Sequence, residues 1–203
     1  MENLPFSQSC ENNKVPILGC LKTELADHRR VLEVGSGTGQ HAVYFAEQLS
    51  HLCWQTSDVL DCHNGIQLWI SEAGLDNLRP PLELDVCSYA WGEDRFDAVF
   101  TANSLHIMPL EAAEYFVSHV ANALVDGGCF IAYGPFNYQG QYTSPSNARF
   151  DLWLKQRDTG SAIRDFEVLD HCAKKAGLAL HKDYEMPANN RLLVWRKLRT
   201  TPA

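Results

Sequence analysis

The sequence predicts an α/β fold: a mostly parallel sheet with helices on both faces, closed by an antiparallel C-terminal hairpin. Three observations carry this expectation. Strand-like and helix-like segments alternate through residues 29–133, a glycine-rich loop joins the first strand to the following helix, and only Pro187, Ala188, Asn189 and Asn190 separate the last two strand-like segments. Such alternation implies crossover connections and a sheet buried on both sides. So short a final link returns the chain antiparallel beside itself.

A first helix is expected over residues 14–26, opening at Pro16, because proline is tolerated in a first helical turn. Residues 29–34 read as a buried strand built on Val31, Leu32 and Val34. After the glycines, Ala42, Phe45, Ala46 and Leu49 share one helical face by their spacing. A second strand is expected over 52–57, ending at Asp58, then a helix over 62–73 closed by Gly74. Third and fourth strands follow at 81–86 and 96–102. Ala113, Phe116, Val117, Val120 and Leu124 mark the next helix, stopped by Asp126, Gly127 and Gly128, and residues 129–133 read as the fifth strand.

Residues 135–149 are rich in Gly, Ser, Asn, Pro and aromatics and are long for a connection, so a lid-like insertion is expected at about 135–150. Helical sequence resumes at 151–156 and 164–176, before strands at 178–186 and 191–198. No internal repeat or linker is visible, which predicts one domain over residues 1–203.

Of the 203 residues, 45% are hydrophobic and 21% charged, enough for one substantial core and too apolar for disorder. No apolar run nears the roughly 20 residues of a membrane span. Residues 1–14 lack the apolar stretch of a signal peptide. A cytoplasmic location, with the nucleus also open, is therefore expected. The net charge of −8 repels a phosphate backbone. The one dense basic cluster, Arg196, Lys197 and Arg199, reads equally well as a solvated strand end, so nucleic acid is not expected as a partner. Cys10, Cys20, Cys53, Cys62, Cys87, Cys129 and Cys172 show neither a C-x-x-C pair nor zinc-ligand spacing. Reduced thiols and no metal site are expected.

The loop carries Glu33, Gly35, Ser36, Gly37 and Gly39 between a strand and a helix. Glycines allow a sharp turn and let a ligand approach the backbone, while the free N–H groups opening the next helix favour an anion. A dinucleotide loop has the spacing G-x-G-x-x-G. Here the third glycine comes one position early and Gln40 stands in the sixth place, which disfavours an NAD-linked oxidoreductase. The carboxylate of Glu33 suits a sulfonium ligand bearing an amino acid better than it suits two phosphates. Asp58, at the end of the second strand, is placed to accept from both ribose hydroxyls. Asp85 is placed to accept from an adenine amino group while Val86 packs on the ring. Each aspartate could equally be a helix cap or loop anchor. His41 could touch the amino-acid end of the cofactor or lie at the surface.

The order E-x-G-x-G-x-G, Asp58, Asp85 and closing hairpin resembles class I methyltransferases. More closely, the chain resembles the methyltransferase-like 26 group, over nearly its whole length. That likeness rests on Asn13-Lys14 with Pro16-Ile17, Trp54-Gln55 before Ser57-Asp58, Leu84-Asp85-Val86, Tyr133-Gly134-Pro135-Phe136, Ser146-Asn147 before Phe150-Asp151, and Met186-Pro187-Ala188-Asn189-Asn190. It implies a Rossmann-like sheet of order 3-2-1-4-5-7-6 with strand 7 antiparallel, and S-adenosylmethionine as cofactor. Val15 and Asn12 depart from the family pattern, which usually has aspartate and arginine there.

Ligands in open α/β sheets bind beyond the carboxyl ends of the strands. Asn103, Ser104 and His106 follow strand four, and Tyr133 and Phe136 follow strand five. Asn147, with Asn189 and Asn190 of the hairpin turn, can close over them. These residues suit a small, partly apolar methyl acceptor, or a lid that shields the cofactor. His106 is the candidate general base, with Asn103 beside it as a candidate for both catalysis and cofactor binding, although a histidine there is also often bonded to a carbonyl. The leading expectation is a methyltransferase acting on a small molecule. The alternative is a binding protein that kept the cofactor and lost turnover. Oligomeric state is not legible.

Overall fold

The computed structural model describes residues 4–199. Its strands are β1 (Arg30–Val34), β2 (Cys53–Asp58), β3 (Leu78–Glu83), β4 (Phe96–Ala102), β5 (Leu124–Gly134), β6 (Phe136–Asn137), β7 (Arg164–Asp165), β8 (Leu178–Met186) and β9 (Asn190–Lys197). Its helices are α1 (Gln8–Glu24), α2 (Gln40–Gln48), α3 (His63–Ala73), α4 (Leu110–Ala123), α5 (Pro145–Arg157) and α6 (Phe166–Lys175). Seven strands form one sheet in the order β3-β2-β1-β4-β5-β9-β8. The five strands β1 to β5 run parallel, while β9 is antiparallel to both its neighbours. β6 and β7 pair separately.

Strand alternation sorts the core into two layers. Leu32, Val99, Phe130 and Trp195 face Phe116 and Val120 of α4 and Leu169 of α6. Val31, Phe100, Ile131 and Val194 face Ile17 and Leu21 of α1 and Phe45 of α2. The expected basic cluster is engaged within the fold: Arg196 pairs with Glu24 at 2.7 Å, and Lys197 donates to the carbonyls of Ala121 and Leu124 at the end of α4. Among the described residues no helix is long and apolar enough to cross a membrane.

Four sequence expectations are corrected. α1 begins at Gln8, not at 14, because Ser7 caps it, and Pro16 lies inside the helix. β3 begins at Leu78 and ends at Glu83, so Asp85 lies beyond the strand. Pro80 and Pro81 are tolerated there because β3 is an edge strand, where a missing N–H costs little. β5 starts at Leu124, so Asp126, Gly127 and Gly128 belong to the strand, whose pairing with β4 is irregular between Phe96 and Ala98. The segment expected as an irregular insertion at about 135–150 contains β6, a Tyr138–Gln141 bridge and the first turn of α5, which Ser144 caps by accepting from the Asn147 N–H.

α2 crosses α3 closely at Gly39. This residue has φ 91°, and a Cβ there would stand 3.1 Å from Ile66 Cα and 3.2 Å from Trp69 Cβ. Gly39→Ala is expected to cost about 2–4 kcal/mol, from a left-handed alanine plus overpacking. Gly74→Ala, also left-handed but with nothing within 4 Å, is expected to cost only about 1 kcal/mol. Urea unfolding measures both, and equal losses would refute the helix-crossing role.

Candidate cofactor and acceptor site

The carboxyl ends of the parallel strands meet in a cavity of about 750 Å³. The loop after β1 forms one wall, Asp58 and Val59 the next, and Leu84, Asp85 and Val86 a third. Residues 102–109 after β4 close the far side. The loop is fixed from below: the N–H groups of Gly35 and Ser36 both donate to the Ser57 carbonyl, at 3.1 and 3.0 Å. Gly37 has φ 58° and nothing within 4 Å of where a Cβ would stand, so the cavity reaches the bare backbone. Its N–H donates to Asp58 Oδ2 at 2.7 Å, and Asp58 Oδ1 accepts from Val59 N. Each carboxylate oxygen keeps a second lone pair for a hydroxyl donor.

Glu33 does not line the cavity. It is buried beneath the loop, where Oε2 accepts from Ser36 Oγ at 3.0 Å and Trp54 Nε1 at 3.1 Å. Burial pushes its carboxyl up to about 7, against the opposing pull of those two donors, with Asp58 adding repulsion. From there its side chain supports the loop from beneath. Gly39 likewise faces α3, not the cavity. Gly35 packs on Ser104, whose Oγ would lie 2.5 Å from an added Cβ.

Asp85 and Val86 both face the cavity, Asp85 with Oδ1 accepting from Cys87 N at 2.9 Å. His41 lines it too, but is buried: Nε2 meets Asn13 Oδ1 at 2.6 Å, and the ring stacks on Phe45. That contact makes Nε2 the donor and leaves Nδ1 as the acceptor. Burial, more than its charged neighbours, holds the imidazole down at about 4.

Asn103, in the left-handed region at φ 59°, lines this cavity and also a second one of about 360 Å³. Asparagine is among the few residues that adopt this conformation readily. A Cβ on Gly134 would stand 3.6 Å from His106 Nδ1 and 3.9 Å from Asn103 Oδ1, so both groups gather over the end of β5. His106 is buried against Phe150, edge to face at 5.4 Å. Burial, then the Arg164 guanidinium, holds its imidazole down at about 4, so it stays neutral. Arg164 itself fixes the turn by donating to the carbonyls of Leu105, Met108 and Gly160.

The second cavity brings together Tyr133, Asn147 and Asn190. Asn147 Nδ2 donates to Thr143 Oγ1 and the Asn189 carbonyl, tying α5 to the hairpin turn. Asn189 lines neither this chamber nor the larger one, its amide donating to Ser146. Phe136, expected on the acceptor wall, is packed in the core with 1% exposure, because the start of β6 turns it under the sheet's α4 face. Sequence reasoning missed Ser7, Ser9 and Cys10, which line the large cavity from the start of α1. The overlooked signal was Ser7 as an N-cap with Glu11 in the first turn. Trp153 and Arg157 of α5 were also missed.

Residues 4–197 match the family described as a protein of unknown function, DUF938. The chain belongs to that family. Among solved structures it is similar to an O-methyltransferase family protein from Burkholderia thailandensis, with TM-score 0.82 and 16% identity over 93% of this chain and 57% of the other. It is similar also to an O-methyltransferase family 2 protein from Planctomyces limnophilus DSM 3776 in complex with apigenin, with TM-score 0.81 and 16% identity over 94% of this chain and 58% of the other. A third, PigF with SAH, has TM-score 0.75 and 18% identity over 90% of this chain and 55% of the other. The chain thus spans somewhat more than half the length of these structures. They establish a Rossmann-like class I methyltransferase fold.

The position of Glu33 gives stability a definite pH dependence. Its folded value of about 7 lies above the ordinary 4.5, so its contribution is complete below about 4.5 and is lost as pH rises through about 7. That displacement corresponds to on the order of 3 kcal/mol. In Glu33→Gln the neutral amide removes this loss, so the mutant gains on the wild type by that order between pH 4.5 and 8. Urea midpoints at the two pH values test this, and parallel curves would dismiss it.

Proposed function

We propose that this protein is an S-adenosylmethionine-dependent methyltransferase acting on a small molecule. The observation that carries the reading is the bare backbone of Gly37 at the cavity wall with Asp58 beside it. A nucleoside needs close backbone approach and a fixed carboxylate for its ribose hydroxyls, and both are there. Val86 offers an apolar face for the adenine, with Asp85 to accept from its amino group. Ser36 and His41 line the opposite end, where the amino-acid tail would lie. When bound, S-adenosylmethionine supplies an electrophilic methyl group on a cationic sulfur.

The chain's own part is alignment, exclusion of water and management of one proton. Asn103 stands at the join of the two cavities, and the neutral His106 faces the same place. An uncharged imidazole can take a proton from an acceptor hydroxyl. Tyr133, Asn147 and Asn190 would hold that acceptor. The helix α5 and the turn before it, within the lid-like segment, would cover it. The similar structures, among them an O-methyltransferase family 2 protein in complex with apigenin and PigF with SAH, support a small-molecule reaction. The resemblance to the methyltransferase-like 26 group belongs to the same reading, as does a single-domain, cytoplasmic enzyme that does not act on nucleic acid.

S-adenosylhomocysteine at about 100 times its dissociation constant should stabilise the fold by roughly 2.7 kcal/mol. For a chain of this size that is a rise in Tm of about 5–10 °C. NAD should give no rise. Absence of any shift with either sulfur compound would end the proposal. Asp58→Ala should weaken S-adenosylhomocysteine at least about tenfold, since a charged acceptor for hydroxyl donors contributes roughly 1.5–3 kcal/mol. Isothermal titration reads this, and an unchanged Kd removes the ribose assignment. Transfer of labelled methyl to any acceptor separates an enzyme from a silent binder.

A further inference from the structure

The smaller cavity carries information about the acceptor, resting on the methyltransferase reading above. Its polar wall is made of amides and hydroxyls: Asn12, Asn13, Asn103, Asn147, Asn190 and Tyr133. Pro135, Phe150 and Pro187 supply apolar faces. Among the described residues, no carboxylate, ammonium, guanidinium or imidazole lines it. This is unusual in a chain with 21% charged residues, and the nearby charges are turned elsewhere. Arg191 is held by Asp183 and Glu185, and Lys14 by Glu11.

The amides divide into two kinds. Asn13 Oδ1 meets His41 Nε2, and Asn190 Nδ2 donates to the Pro187 carbonyl. Asn147 is 5% exposed and spends Nδ2 on Thr143 and Asn189, while its Oδ1 bonds no described residue. The Asn103 amide and the His106 ring, 6% exposed, also bond no other described side chain or backbone group. Groups so placed need a partner when water leaves. Asn103, Ser9 and Phe150 line both cavities, which marks the junction through which a methyl group would pass.

We infer that the amide-lined chamber is the acceptor subsite and selects an uncharged, partly apolar ring compound with a hydroxyl group, excluding carboxylates and ammonium ions. The ring lies between Phe150 and the prolines, and its polar edge bonds the Asn103 and Asn147 amides. The acceptor hydroxyl points through the junction toward His106. When bound, S-adenosylmethionine would supply its methyl group to the hydroxyl oxygen, the carbon–sulfur electron pair going back to sulfur. The hydroxyl proton passes to the His106 imidazole, so the positive charge lost by sulfur reappears on the imidazolium. A charged substituent finds no counter-ion in the chamber and would lose its hydration without compensation.

The test uses the full chain saturated with S-adenosylhomocysteine and three probes of similar size: 4-hydroxybenzamide, 4-hydroxybenzoate and tyramine. Ligand-observed NMR titration gives each Kd. The neutral amide should bind at least about tenfold more tightly than either ion, the discrimination expected for an unpaired charge against a hydrogen-bonded neutral group. Asn12→Asp alters an exposed position of α1 that lines the chamber. It should strengthen tyramine and weaken 4-hydroxybenzoate, each by about threefold, as expected for a partly solvated charge pair. Asn103→Ala should weaken 4-hydroxybenzamide, measured at an S-adenosylhomocysteine concentration that saturates the variant. Equal or tighter binding of an ion, or no binding of any probe, overturns the inference. The rise in Tm with S-adenosylhomocysteine is read in the same samples. Its persistence would show that the cofactor reading survives such an outcome, and its absence would show that the cofactor reading itself had failed.

Discussion

A single buried carboxyl governs the geometry around the cavity. Glu33 sits where β1 ends, on the face of the sheet that packs against α1 and α2, and it holds Ser36 and Trp54 at once. Ser36 Oγ in turn accepts from the Ser57 N–H, while Ser57 Oγ donates to the Glu33 carbonyl at 2.6 Å. The loop is thereby tied to the ends of two neighbouring strands before any ligand arrives. Its backbone then has nowhere to turn but through the glycine conformations that leave Gly37 bare. Asp58, at the end of β2, is brought beside it by the same register. Burying an ionisable group is costly, and here the cost maintains a preformed wall.

Much of this fold was legible because its signals are local. Ala42, Phe45, Ala46 and Leu49 repeat at helical spacing, and β4 and β8 have the bounds expected of them. Errors arose where tertiary context overrode a local rule. Pro16 reads as a helix start, yet the chain was already helical from Gln8 because Ser7 capped it. Pro80 and Pro81 read as a strand boundary, yet an edge position accommodated them. The site followed the same division. The residues of the loop and Asp58 were evident from motif spacing, since motif spacing reflects backbone geometry. What each residue does was less evident. Glu33, Gly39 and Phe136 turned inward, a distinction that depends on which side of a strand or helix faces the cavity. The capping signal at Ser7 marks where α1 begins, but long-range packing, which no motif announces, is what brings Ser7, Ser9 and Cys10 to the cavity.

The two histidines near the cavity show how environment separates residues of one type. His41 is committed through Nε2 to Asn13 and stacks on Phe45, so it serves to dock α1 on α2. His106 has its ring free and Arg164 behind the turn that carries it. Arg164 bonds backbone carbonyls and no carboxylate, an arrangement that uses a guanidinium as a bracket. Burial first, and its charge second, keep the imidazole neutral, while its hydrogen bonds to the carbonyls of Leu105, Met108 and Gly160 set the position of the turn. The asparagines around the second cavity follow a related economy, since an amide spans neighbouring elements without imposing a net field.

The sheet's polarity places the two ends of the described chain on opposite edges. Ser7 and Ser9 lie at the cavity mouth, beside the carboxyl ends of the parallel strands. β9 runs the other way, from Arg191 opposite Gly134 to Arg196 opposite Cys129, and so carries Lys197 to the far edge. Upstream of Ser7 the described chain passes onto α3, where the Pro5 carbonyl accepts from Trp69 Nε1 at 2.8 Å, while Lys197 lies at the edge away from the opening. For immobilisation or labelling, the edge that carries Lys197 is the side that leaves traffic through the cavity unobstructed.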